Sequence, residues 1–201
     1  MTSSLPDPIR NLADALKELP GIGPRQAIRL AIFLATQKNG ARDMLGTSLA
    51  ALGGVKLCAQ CFFFHEETGA LCNICADTAR DQSVIMVVEK ETDLISLERT
   101  GKFRGRYLVL GPIPKLGALA GWQQERIAAL KASIMAHSGQ AKEVILAFNP
   151  TSIGDMNASL IQKELAGITK KLSRLGRGLP TGGEIEFADD ETLGSALEGR
   201  N

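Results

Sequence analysis

The sequence is short of the features that would place it in several large classes. It has one tryptophan, one tyrosine and two histidines in 201 residues. No apolar run approaches the ~20 residues a membrane-spanning helix requires. The opening MTSSLPDPIRNLADAL lacks a basic stretch followed by an apolar one. No secretory leader is therefore expected, and the protein reads as cytoplasmic. Charge of one sign is missing as well: 23 Lys and Arg stand against 22 Asp and Glu, a net charge of +1. This excludes a broad cationic field, so contact with nucleic acid has to come from a local patch or from several copies. The one tyrosine, Tyr107, lies inside the apolar run RYLVL and has no nucleophile's setting. With 44% apolar residues the chain can still bury a core, as one medium domain or as two to three small modules.

Cysteine is scarce but ordered. The four cysteines form two Cys-x-x-Cys knuckles, Cys58/Cys61 and Cys72/Cys75, separated by ten residues. Each knuckle can offer two thiolates to one ion from a tight turn, and tetrahedral zinc takes four at about 2.3 Å. Two disulfides or buried structural thiols are the competing reading, disfavoured without a secretory signal or an extracellular framework around them. Four thiolates leave no open position for a substrate, so the expected ion is structural Zn2+, one per chain. His65 lies within the same loop, but the shell is complete without it. His137 falls at the end of an expected helix, where it suits the dipole.

The first fifty or so residues read as helices. Pro8 suits a first turn, and Ile9, Leu12, Ala13 and Leu16 follow at helical spacing. Ala27, Ile28, Leu30, Ala31 and Leu34 resume the period after a Pro/Gly break. A third amphipathic stretch runs over about 43–52 and stops at Gly53-Gly54. Beyond the cysteines, the apolar runs 84–88 (VIMVV), 106–110 (RYLVL) and 143–148 (EVILAF) have strand length. Helical stretches at 92–99, 122–137 and 155–171 come between and after them. This alternation predicts a mostly parallel α/β sheet. The tail carries a Gly-rich turn, then EIEF as a short strand and a small helix.

Between the first two helices lies Leu19-Pro20-Gly21-Ile22-Gly23-Pro24-Arg25. Gly21 and Gly23 let backbone N–H groups approach a phosphate without a β-carbon in the way. The helix that follows presents its positive N-terminal end at the same place. Arg25 and Arg29 lie four apart on one face of it, and Lys17 ends the helix before. The motif reads as a helix–hairpin–helix that grips the sugar-phosphate backbone of DNA with little sequence information. An ordinary helical connection with solvated arginines is the bland alternative.

With these motifs in this order, the chain resembles the RecR family of bacterial recombination mediators. The resemblance rests on LPGIGPRQAIRLA, the paired knuckles ending in CNICADTAR, VVEKETDLISLERTG, GRYLVLG, NPTSIGD and GLPTGGEIEFADDETLGSALEGR. It implies a helix–hairpin–helix DNA-binding domain over 1–53 and a four-cysteine zinc finger over 54–79. A Toprim domain over 80–173 and a C-terminal Walker-B-like segment over 174–201 would follow. It further implies homodimers and homotetramers that form rings on single-stranded, double-stranded or gapped DNA. Such rings act with RecO, and with RecF, in loading RecA onto DNA coated by single-strand-binding protein. The family's DNA-contacting basic residues fall on Arg25 and Arg29.

Toprim enzymes bind magnesium through carboxylates at strand ends, a role that would fall here on Glu89, Asp93 and Asp155. This chain reads Thr151-Ser152-Ile153-Gly154-Asp155 where the family commonly has Thr-x-Glu-Gly-Glu. Ile153 removes one carboxylate and Asp155 shortens another, which weakens a site for an ion that demands oxygen ligands. The three acids are read as a remnant cluster, a docking surface for RecO. The rival reading is a metal-dependent Toprim nuclease or primase, which would need the full acidic set. A zinc-finger regulator would need a recognition helix that the cysteine loop lacks.

Residues 178–183 (GLPTGG) lack the Lys and Ser/Thr of a phosphate loop and are read as a turn. Glu186 and Asp189 occupy the Walker-B-like positions and are expected to serve structure or subunit contact. Trp122 is expected to anchor packing. Phe62, Phe63 and Phe64 are expected to bury the finger against a neighbour, with base stacking on an exposed ring as the second reading.

Overall fold

A computed structural model describes residues 5–37, 39–113 and 118–200. Residues 1–4, on which the leader-free reading partly rests, lie outside them. The chain divides into two compact units, Met1–Val55 and Lys56–Asn201.

The first unit is helical: α1 (Asp7–Lys17), α2 (Pro24–Thr36), α3 (Asn39–Ala51) and a 3-10 turn at Leu52–Gly54. Prolines occupy the first turns of α1 and α2, where their missing N–H costs nothing. Asp7 opens α1 and Lys17 closes it, each suited to the dipole at its end. Ala13, Ala27 and Ala31 are buried, with Ile9, Leu16, Ile22 and Ile28 packed around them. Small side chains at the contact let α1 and α2 approach closely. Three alanines bury little apolar area, so this unit has a thin core.

The second unit holds a four-stranded parallel sheet of β3 (Asp81–Val88), β4 (Gly105–Val109), β5 (Glu143–Ala147) and β6 (Leu172–Arg174), in the order β4-β3-β5-β6. Connecting helices are α5 (Glu91–Arg99), α6 (Gly121–Ser138) and α7 (Ser152–Glu164). Strand alternation divides the apolar residues between two cores. Ile85, Val87, Leu108, Val144 and Leu146 pack with Ile127, Leu130 and Ile134 of α6 and with Ala158 and Ile161 of α7. On the other face Met86, Val88, Tyr107 and Val109 pack with Leu94 of α5 and with all four cysteines. Each large aliphatic side chain fully buried this way contributes about 1.5–3 kcal/mol relative to exposure. No helix among the described residues is long and apolar enough to cross a membrane.

The cysteine segment belongs to this unit. It contains a two-stranded antiparallel ribbon, β1 (Lys56–Leu57) with β2 (Phe64–His65), and the single turn α4 (Asn73–Ala76). At the C-terminus α8 (Asp190–Glu198) follows a 3-10 turn.

Two sequence expectations give way. The helix expected over 155–171 spans Ser152–Glu164, and the chain then returns as the short strand β6. Three residues, LSR, are too few to show a strand period; pairing with β5 makes them a strand. The segment EIEF is not a strand: Ile185–Phe187 form a 3-10 turn. Among the described residues no neighbouring strand offers a ladder there, and Ile185 and Phe187 remain 68% and 79% exposed.

Candidate nucleic-acid interface and metal centre

Residues 18–23 reverse the chain between α1 and α2, with the Ile22 N–H donating to the Leu19 carbonyl at 3.2 Å. Gly21 adopts φ +80°, a left-handed conformation that costs a residue with a β-carbon about 1–2 kcal/mol. Gly23 is extended and precedes α2, whose first turn no side chain caps. Apart from the adjoining residues, nothing among the described residues lies within 4 Å of where a β-carbon would sit at either glycine. The approach to the helix end is therefore open. Arg25 and Arg29 are exposed, and with Gly23, Pro24 and Gln26 they line a shallow hollow. Neither arginine has an ion-pair partner among the described residues. Lys17 stands apart from them, because its ammonium is already held by Asp14 at 2.5 Å. The structure thus gives the hairpin two uncommitted cations beside unsatisfied helical N–H groups, an arrangement suited to an anion.

The four cysteines converge. Their Sγ atoms all lie within 4.8 Å of one another, and all four side chains are buried and free of disulfides. Cys61 Sγ and Cys72 Sγ are 3.6 Å apart. A tetrahedron of 2.3 Å metal–sulfur bonds has edges of about 3.8 Å, so the spacing fits a single ion. The knuckle Cys58–Cys61 is closed by the Phe62 N–H on the Cys58 carbonyl at 3.0 Å, with Phe62 at φ +60°. The Cys72 N–H donates to Cys58 Sγ at 3.4 Å, the kind of bond that steadies a thiolate ligand. Hydrogen bonds from Cys61 and Cys75 pull the Cys72 thiol well below its ordinary value, and the same bond with Cys72 pushes Cys61 up. Four buried sulfurs converging on one point are chemically a soft-metal site. His65 is not part of it: the metal-sized group comprises the cysteines alone.

Two of the three acidic residues already have partners. Asp93 accepts the Lys90 N–H at 2.9 Å and serves as a cap for α5. Asp155, in the first turn of α7, is held by Arg174 at 2.5 Å and also by Arg177. Hydrogen bonds from Arg177 and Arg174 hold its carboxyl below the usual range. Glu89 follows β3 directly and is half-buried. Among the described residues these three form no metal-sized group. Tyr107 is buried, and burial pushes its phenol up, away from nucleophilic character.

Family models match three stretches of this chain: a RecR helix-hairpin-helix over residues 9–52, a Toprim domain over 83–176 and a RecR C-terminal model over 178–201. The Recombination protein RecR of Roseiflexus sp. (strain RS-1) is 43% identical over 197 residues, covering 98% of this chain and 94% of that protein. The chain belongs to the RecR family. The RecR proteins of Thermobifida fusca (strain YX) and Chloroflexus aurantiacus (strain ATCC 29366 / DSM 635 / J-10-fl) are each 40% identical and cover 96% of it.

In this RecR-family chain several working residues escape a sequence reading. Arg126 of α6 lies between two rings, 4.9 Å from the centroid of Phe62 and 4.8 Å from that of Trp122. It also donates to the Val109 carbonyl at 2.8 Å. Phe62 joins the α6 side of the sheet and Phe63 the opposite side, so the knuckle straddles edge strand β4, while Phe64 stays exposed. No local pattern marks Arg126 as a partner of a residue 64 positions earlier. Asp189, at a Walker-B-like position, caps α8 through the Thr192 N–H at 2.8 Å, a structural use.

Proposed function

We propose that this protein is a DNA-binding recombination mediator of DNA repair. It closes as a homodimeric or homotetrameric ring on single-stranded, double-stranded or gapped DNA. With RecO, and with RecF, it promotes RecA loading on DNA coated by single-strand-binding protein, in the cytoplasm and on the nucleoid. The observation that carries this reading is the pair of unpaired arginines, Arg25 and Arg29, beside Gly21 and Gly23 at the open start of α2. Membership of a family whose named relatives are recombination proteins supplies the process.

The parts divide the work. Over 1–53 the hairpin binds phosphates without reading bases, and few contacts per chain make several copies necessary at physiological salt. Lys17 contributes by releasing Asp14 to reach a phosphate. Over 54–79 Cys58, Cys61, Cys72 and Cys75 hold structural zinc, which supplies folding free energy to a segment with little core of its own. The body over 80–173 and the segment over 174–201 position partners. RecO docks at Glu89, Asp93 and Asp155. No bond is made or cut. A carboxylate clamped by two arginines and another spent on a helix cap weigh against magnesium-dependent nuclease or primase chemistry.

Charge reversal in an Arg25→Glu, Arg29→Glu variant tests the reading by DNA retention at low salt. Retention should be lost while metal content and oligomer mass stay unchanged. Retention equal to that of the native chain would remove the hairpin from the mechanism.

A further inference from the structure

We propose that the N-terminal edge of the parallel sheet is a second contact surface for the phosphate backbone of nucleic acid, centred on Lys142 and Lys170. Parallel strands start at one end, and here each start after β3 carries cations. Lys102 and Arg104 precede β4, Lys142 precedes β5, and Lys170 and Lys171 precede β6; all five are exposed. Backbone hydrogen bonds fix them in one row. The Asp81 N–H donates to the Arg104 carbonyl at 2.8 Å, the Lys142 N–H to Ser83 at 2.9 Å, and the Lys170 N–H to Ala141 at 2.9 Å.

The register makes the row unusual. Ala141 opposes Thr169 and Val144 opposes Leu172, so Lys142 directly opposes Lys170 on neighbouring strands about 4.8 Å apart. Like charges so placed repel each other. Two carboxylates lie in the row, and both have other partners. Asp81 accepts from Ser83 N–H and Oγ at 2.9 and 2.6 Å, and Glu143 accepts from Lys171 at 2.9 Å and Ser173 Oγ at 2.7 Å. Among the described residues Lys102, Arg104, Lys142 and Lys170 make no direct ion pair, and Lys142 acts on Asp81 and Glu143 only at longer range, favouring their charged forms.

Helix dipoles do not account for the row. Each connecting helix runs back toward this edge, and its C-terminal carbonyls favour a cation. But Arg99, His137 and Lys163 already sit in the last turns of α5, α6 and α7. The remaining cations are surplus to that need. From β4 to β6 the row spans three strand spacings, about 14 Å, which matches roughly four nucleotide steps of 3.4 Å. Lysines act as point charges on flexible stems, so the contact would be indifferent to base sequence. The choice of nucleic acid as the polyanion rests on the DNA-binding reading of the hairpin.

The test measures binding of labelled single-stranded and duplex oligonucleotides by the full chain between 50 and 200 mM salt. A Lys142→Gln, Lys170→Gln variant is compared with the native chain and with Arg25→Glu, Arg29→Glu. Losing two phosphate contacts should flatten the log–log salt slope by about 1.4–1.8 and weaken low-salt binding on the order of tenfold. The melting temperature of this variant should equal or exceed the native value, because a like-charge pair has gone. A native slope in the lysine variant, beside lost retention in the arginine variant, would overturn the edge proposal and leave the hairpin standing; an acidic protein would then be the partner to seek. A flatter slope with a lowered melting temperature would also overturn it, marking a structural role. No retention by the native chain at any salt would sink both readings.

Discussion

The Val109 N–H donates to the Cys61 carbonyl at 2.9 Å. This bond takes up a donor on β4, the first strand in the sheet order, which would otherwise present an open edge. The first knuckle and the sheet are therefore one structural object, and disturbance of the knuckle must reach the Toprim body.

The four-cysteine site gives the first prediction. Chelation, or a Cys72→Ser substitution, should lower the melting temperature of the whole second unit and not of the finger alone. Differential scanning calorimetry together with metal analysis checks this. A native metal-to-chain ratio far below one would contradict the four-sulfur geometry.

Arg126 supplies the second. Arg126→Ala removes two ring contacts, each worth about 0.5–2 kcal/mol, and leaves the Val109 carbonyl without its side-chain donor. A loss of roughly 1–3 kcal/mol in denaturant unfolding is expected. Lysine at this position should rescue only part of it, because an ammonium cannot lie flat between two rings.

The Asp155 pair gives a pH dependence. Its carboxyl is depressed by Arg177 and Arg174. The stabilisation is therefore complete above the ordinary aspartate value near ~3.9 and fades as pH falls through the lower folded value. Asp155→Asn should loosen the 174–200 segment at neutral pH and make no difference in strong acid. Hydrogen exchange of β6 and the following turn, compared between native and variant across pH, reads this directly.

Gly21→Ala isolates backbone from contact. Nothing occupies the space that the methyl would fill, so the cost comes from φ +80° alone, about 1–2 kcal/mol. Weaker DNA binding with a slightly less stable first unit is expected. An unchanged affinity would mean the turn is not part of the contact.

How much of this was legible in the sequence follows from distance along the chain. The hairpin and the knuckles were, because their residues lie within a few positions and glycine or cysteine spacing fixes the local geometry. Cys58 and Cys75 are 17 residues apart, yet the pairing of knuckles still implied their meeting. The apolar runs gave β3, β4 and β5 through composition alone. The pairing of Asp155 with Arg174 and Arg177 was not legible, because those arginines lie 19 and 22 residues downstream, beyond any local period. Likewise β6 takes its form from β5, and EIEF, with an alternation suited to a strand, has no partner among the described residues to complete one.

Trp122 is the only indole in the chain. It stacks on Arg126 and crowds Gly111, where an added β-carbon would come within 2.2 Å of the ring. Arg126 in turn touches Phe62, the residue next to Cys61. Intrinsic emission excited at the indole band therefore reports a single location, adjacent to the seat of the knuckle. Unlabelled protein carries its own optical gauge of whether that seat is intact, free of background from any second fluorophore of the same kind.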